Sequence, residues 1–143
     1  MLLLYSALII FTDQLSKYLI RAHLLPYEKI NILSNFFAIT NIKNTGAAFG
    51  ILEGQRLFFI FITIFFLIFL FYLYKNELKN SKLTVLSTAF LIGGSLSNLI
   101  DRIIYSYVTD FIAVRDFPVI NIADIFIFFG VLFLIIHFIF FQD

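Results

Sequence analysis

Eighteen consecutive residues, 57–74, carry no charge and are almost wholly Phe, Ile and Leu. No other feature limits the chain so strongly. A helix of that length can cross the hydrocarbon core of a bilayer, which takes about 20 residues at roughly 1.5 Å each. Three more stretches are of similar length: about 1–20, 83–100 and 119–141. All four are continuous apolar runs rather than ten-residue alternations, so they predict helices and not a barrel. A soluble domain of 143 residues could not hide so much apolar surface: 62% of the residues are hydrophobic, 21 are Phe and only 13% are charged. That is about half the charged share of an ordinary soluble domain. The expectation is one integral membrane domain, 1–143, an α-helical membrane protein with four transmembrane helices.

The remaining composition removes several function classes. A formal net charge of +1 with no basic run gives no sign of nucleic-acid binding, so no nucleic-acid partner is expected. The chain has no cysteine, which excludes disulfides, thiolate chemistry and zinc–thiolate sites. His23 and His137 have no ligand-spaced partners, so neither a metal nor another cofactor is expected. The first stretch lacks a basic leader region and a small-x-small cleavage site, and is expected to be a retained span. Orientation is divided. Lys75, Lys79 and Lys82 crowd one turn and vote for both termini inside; the raw count of Arg21, Lys29, Lys43, Arg56, Arg102 and Arg115 favours the opposite face.

Two connections lie on the other side of the membrane. In residues 21–56, the partial alternation of Ile30, Ile32 and Phe36 predicts short strands at the surface. Gly46, Gly50 and Gly54 recur every fourth residue, which fits a close-packed helical stripe or a set of turns equally well. Phe49 between them fits a gate over the site or a plain apolar anchor. The second connection, 102–118, contains an expected strand at 105–114 that carries Asp110.

The polar residues of the spans fall toward one end. Asp13 and Lys17 are one helical turn apart and can pair. Gly94, Asn98 and Asp101 share a face at i, i+4, i+7, and Asn121 and Asp124 stand at i, i+3. With the spans alternating in direction, all of these meet near one membrane surface. Asp110 and Asp124 are the energetic oddities, since a carboxylate near hydrocarbon costs a few kcal/mol or more. Two carboxylates sharing one proton can supply both the base that activates water and the acid that protonates a leaving group. Asn98, Asn121 and Arg102 are candidates for orienting the carboxylates or a substrate backbone. Asp13–Lys17 reads better as a structural ion pair than as catalytic groups, and Asp101–Arg102 as a supporting pair at a helix end. Ser16 and Lys17 do not make a Ser/Lys hydrolase, because adjacent helical residues face apart. A proton- or ion-coupled transporter would also use membrane carboxylates, but no internal repeat is visible. A structural membrane protein would not need the pair.

Five blocks in order, Asp13-Gln14-Leu15-Ser16-Lys17, Asn44-Thr45-Gly46-Ala47-Ala48-Phe49-Gly50, Gly93-Gly94-Ser95-Leu96-Ser97-Asn98-Leu99-Ile100-Asp101-Arg102, Val108-Thr109-Asp110-Phe111 and Asn121-Ile122-Ala123-Asp124, resemble the signature of bacterial lipoprotein signal peptidase (signal peptidase II). The resemblance covers essentially the whole chain. It implies an aspartic intramembrane endopeptidase with four helices, a small extracytoplasmic β-cradle and a short surface helix. The implied enzyme sits in the bacterial cytoplasmic membrane, works near its outer face, and is expected to be a monomer. Its implied partners are membrane lipid and diacylglyceryl-modified prolipoproteins, cut just before the lipid-modified cysteine. Asp110 and Asp124 match the catalytic pair; Asp13, Lys17, Asn44, Gly94, Asn98, Asp101, Arg102, Asn121 and Ala123 match supporting positions. Ser97 departs from the glycine usual before the Asn, and Ile120 from the aromatic residue common before Asn121. Lateral access for a lipidated substrate would call for residues 21–56 to move as a lid.

Overall fold

The computed structural model describes residues 1–33, 36–46, 51–78 and 81–141. The elements run α1 (Leu2–His23), β1 (Lys29–Leu33), β2 (Phe37–Asn44), α2 (Arg56–Leu73) continued by a π turn (Tyr74–Leu78), α3 (Lys82–Tyr105), β3 (Val108–Val114) and α4 (Ile122–Phe140). Among the described residues, three helical segments are long and apolar enough to cross a membrane: Arg56–Asn76, Lys82–Tyr105 and Ile122–Phe140. The 22-residue α1 has the length, but Thr12, Asp13, Gln14, Ser16 and Lys17 dilute its apolar content.

Helix α3 is the centre, with twelve buried residues. Small residues let its neighbours approach. A Cβ on Gly93 would come within 2.9 Å of Ile9 on α1, and one on Gly94 within 2.6 Å of the Ala123 carbonyl on α4. Gly130 of α4 meets Leu91 in the same way, at 2.8 Å. Close backbone approach substitutes for the hydrophobic drive that lipid surroundings do not supply. Helix α2 stays peripheral, with only Leu70 buried and most of its Phe side chains facing outward.

Two boundaries differ from expectation. Helix α3 continues five residues beyond the expected end at 100, through Asp101 and Arg102 to Tyr105. It stops where Ser106 takes a left-handed φ of 69°, and β3 accordingly starts at Val108. Polar residues were a poor end signal because Asp101 is fully buried, not interfacial. The expected surface helix and Phe49 fall partly or wholly on 47–50, outside the described residues. Beyond them, 51–54 form turns, with Gly54 at φ 77°. Gly54 is therefore a turn glycine rather than one of a packed stripe.

The strands form one antiparallel sheet in the order β1-β2-β3. Between β2 and β3 the register shifts: Ile39 faces Ile112, but Ile42 faces Asp110. One extra residue on β2 is a bulge, and it reverses which side chains share a face beyond it. Without it Asp110 would lie opposite Asn41, with Lys43 next along that face. With it, Asn44 stands on the face of Asp110.

Candidate active site

Asp124 is held by its own helix start. Asn121 is the N-cap of α4: its side chain accepts from the Asp124 N–H at 3.0 Å, and Asp124 Oδ2 accepts from the Asn121 N–H at 3.2 Å. This reciprocal capping box satisfies two donors at the helix start and fixes the carboxylate there. The other oxygen, Oδ1, accepts from Asn98 Nδ2 at 2.8 Å. Asp124 is half-buried.

Asp110 comes from β3 and is only 2% exposed. Its Oδ1 accepts from Asn121 Nδ2 at 2.7 Å and its Oδ2 from Asn44 Nδ2 at 2.8 Å. Asn121 thus touches both carboxylate residues, and the β2 bulge delivers Asn44. Burial and then the nearby charge of Asp124 push the Asp110 carboxyl up to about 7; the amide donors of Asn44 and Asn121 act in the opposite direction. A carboxyl poised near neutrality beside a second carboxylate can exchange a proton at physiological pH.

Behind this pair lies a buried ionic cluster. Lys17 Nζ reaches Asp13 Oδ2 at 2.7 Å, Asp101 Oδ2 at 3.3 Å and Asn98 Oδ1 at 2.8 Å. Its three donors are all used, as a fully buried ammonium requires. Because Lys17 can only donate, it fixes the flip of Asn98: the amide oxygen faces the ammonium and the NH2 group faces Asp124. Asp13 Oδ1 accepts from the Ala123 N–H at 2.8 Å, and Asp101 Oδ2 from the Thr109 N–H at 3.0 Å. Ala123 and Gly94 belong to the site through packing, since the Ala123 carbonyl occupies the space that a Gly94 side chain would need.

Nine of the eleven residues singled out from sequence are joined by these bonds, and Gly94 by contact. Among the described residues Arg102 makes no hydrogen bond to the carboxylates, although it lies near enough to feel their charge: it donates to the Gly46 carbonyl at 3.3 Å and lies 4.9 Å over the Phe59 ring. Among the described residues it forms no ion pair with Asp101, which is engaged by Lys17, Gln14 and the Thr109 N–H. Arg102 and Asn98 instead line a cavity of about 370 Å³ between α2, α3 and α4, whose other walls are Phe59, Ile62, Thr63, Phe66, Ser95 and Ile127. A cavity with apolar walls and a polar end suits a ligand that is largely hydrocarbon.

Three contributors were not singled out. Gln14 Nε2 donates to Asp101 Oδ1 at 3.0 Å and to Ser97 Oγ at 3.1 Å. Ser97 Oγ in turn donates to Asp13 Oδ2 at 2.7 Å, so the departure from glycine adds a bond rather than only crowding the helix. Arg21 donates to Thr109 Oγ1 at 2.9 Å and lies 3.7 Å from Asp101. Gln14, Lys17 and Arg21 follow i, i+3, i+7 and share one face of α1, a pattern visible in the sequence.

Comparison with known proteins shows similarity along most of the chain. The family model described as Signal peptidase (SPase) II matches residues 5–140. A lipoprotein signal peptidase of Moorella thermoacetica is 41% identical over 132 residues, covering 92% of this chain and 88% of the relative. One of Halothermothrix orenii is 41% identical over 130 residues, covering 91% and 89%. Two solved structures described as bacterial membrane enzymes are similar throughout. One has a TM-score of 0.90 at 35% identity, covering 96% of this chain and 87% of its own. The other has a TM-score of 0.88 at 34% identity, covering 99% and 94%.

Proposed function

The chain belongs to the signal peptidase II family, and from that premise we propose that it is an aspartic endopeptidase that removes signal peptides from diacylglyceryl-modified prolipoproteins, cutting before the lipid-modified cysteine. The observation that carries the aspartic assignment is Asn121, which donates to Asp110 and caps the helix that holds Asp124. One side chain so placed keeps two carboxyl groups at the same spot. The pair shares one proton; the ionised member takes a proton from water, and the protonated member gives one to the substrate. The titration belongs to the pair, so no single proton position is assigned. Water attacks the scissile carbonyl, and the peptide bond then breaks as its nitrogen is protonated.

The hydrocarbon part of the substrate lies in the cavity between α2, α3 and α4, with its polar junction at Asn98 and Arg102. This gives the lipid chains and the apolar signal segment a path from the bilayer. All of 1–143 forms one membrane domain in which α1 is the fourth span: its charged residues Asp13 and Lys17 face protein, not lipid. The sheet and the carboxylates lie at the extracytoplasmic face of the bacterial cytoplasmic membrane. The enzyme works as a monomer on lipid-modified prolipoproteins, without a cofactor, and the loop around β1 and β2 moves to admit substrate.

The test is direct. Purified protein in detergent is incubated with a lipid-modified prolipoprotein, and release of the signal peptide is followed. Asp110→Asn and Asp124→Asn should each abolish cleavage in folded protein. Near-normal cleavage by either variant would sink the dyad, and ion flux without cleavage would favour a transporter.

A further inference from the structure

The buried cluster behind the carboxylates has a regularity that an ordinary ion pair does not need. Asp13 accepts the N–H of Ala123, the residue immediately before Asp124. Asp101 accepts the N–H of Thr109, the residue immediately before Asp110. Lys17 bridges the two accepting carboxylates at 2.7 and 3.3 Å. We infer that Asp13, Lys17 and Asp101 form a clamp that sets the spacing of Asp110 and Asp124, with Ser97 as its fourth member. This rests on the reading of Asp110 and Asp124 as the catalytic pair; the clamp residues are positioning residues that do not touch substrate.

Neither backbone donor has a partner within its own helix or sheet. Ala123 occupies the second position of α4, where an N–H has no partner within its own helix, and Asn121 already serves the third position. Thr109 lies on β3, whose outer edge pairs with Ile120 at Phe111 and Ile112 and not at Thr109. A buried N–H without a partner is costly, so each attracts an acceptor from outside its element. Both acceptors are carboxylates, and one ammonium joins them. A displacement of either catalytic strand or helix start must therefore stretch bonds to Lys17. Lys17 also reaches the chemistry by a third route, Asn98, which donates to Asp124 Oδ1. Ser97 reinforces the Asp13 side with its hydroxyl at 2.7 Å and is itself held by Gln14.

The test uses the full chain in detergent with a lipid-modified prolipoprotein, reading kcat and KM per folded molecule. Asp13→Asn/Lys17→Met removes opposite charges together and leaves the buried Asp101 with Arg21 at 3.7 Å, Gln14 and the Thr109 N–H as partners. The expected result is folded protein, KM within about threefold of the parent and kcat lower by about 100-fold, the loss typical of a misplaced reacting group. Ser97→Ala makes a milder, uncharged change, with kcat lower by about fivefold at unchanged KM, as for one lost hydrogen bond. If the double variant does not fold, Ser97→Ala decides alone. A kcat per folded molecule within twofold of the parent in the variants that fold would overturn the clamp and leave only a structural ion pair. Asp110→Asn run in parallel separates the two readings. If that variant cleaves, the dyad itself is wrong; if it is dead while the clamp variants work, only the clamp is wrong.

Discussion

Asn121 donates its side-chain amide to Asp110 at 2.7 Å while its side-chain oxygen caps the helix that begins with Asp124. These two duties can be separated by substitution. Serine also caps helices well but cannot reach Asp110 with an amide. In Asn121→Ser, unfolding should change by less than about 1 kcal/mol, whereas Asn121→Ala should lose roughly 1 kcal/mol through the missing cap. Both should cut cleavage at least about tenfold by freeing Asp110. Thermal unfolding and cleavage, measured on the same preparations, check this; an Asn121→Ser enzyme at parental rate would contradict it.

The Asp110 carboxyl, pushed up to about 7, makes stability depend on pH. The folded carboxyl pair, through Asp110, holds a proton that an unfolded Asp has released above about pH 4. Between about pH 4 and 7 the folded state therefore binds more protons, and stability falls as pH rises through that window. The unfolding temperature in detergent should decline from pH 4 to pH 7. In Asp110→Asn the decline should be shallower. A parent and variant with parallel pH profiles would show that Asp110 titrates normally.

Asp124 contributes to that upward shift through its charge, second to burial. Asp124→Asn should lower the midpoint of Asp110, yet leave it above the ordinary carboxylate range because burial remains. Infrared titration of the protonated carboxyl band, with Asp110→Asn as the blank, reads this midpoint. An unchanged midpoint would mean that the two groups do not sense each other.

Asn44 donates to Asp110 Oδ2 and opposes the shift. Asn44→Ala should therefore move the same midpoint further up and move the alkaline limb of cleavage upward with it. A downward movement would contradict the placement of Asn44 on the face of Asp110.

Gly94 and Gly130 allow a comparison of packing near the site and away from it. Adding a methyl at Gly94 drives it against the Ala123 carbonyl, a backbone atom next to Asp124, at 2.6 Å. Gly130→Ala meets the Leu91 side chain at 2.8 Å. Both overpack, at about 1–3 kcal/mol each. Only Gly94→Ala should also lower kcat per folded molecule, since it pushes on the start of α4. Equal kcat losses in the two variants would argue against that difference.

Much of this protein is legible in its amino-acid order. The uncharged run at 57–74 announces α2, and the one-turn spacing of Asp13 and Lys17 announces their ion pair at 2.7 Å. Such features depend on residues a few positions apart, where helical geometry alone decides which side chains meet. The end of α3 is not legible in this way, because Asp101 looks like an interfacial residue until Lys17 and the Thr109 N–H are seen to satisfy it.

The sequence by itself therefore determined which segments are helical and which polar residues share a helix face. Tertiary structure alone decided the rest. The bond from Ala123 to Asp13 joins residues 110 positions apart, and local periodicity carries no information over that distance. The bulge that turns Asn44 toward Asp110 shifts the register by one residue, a choice made by packing and backbone pairing across strands and not by either strand alone.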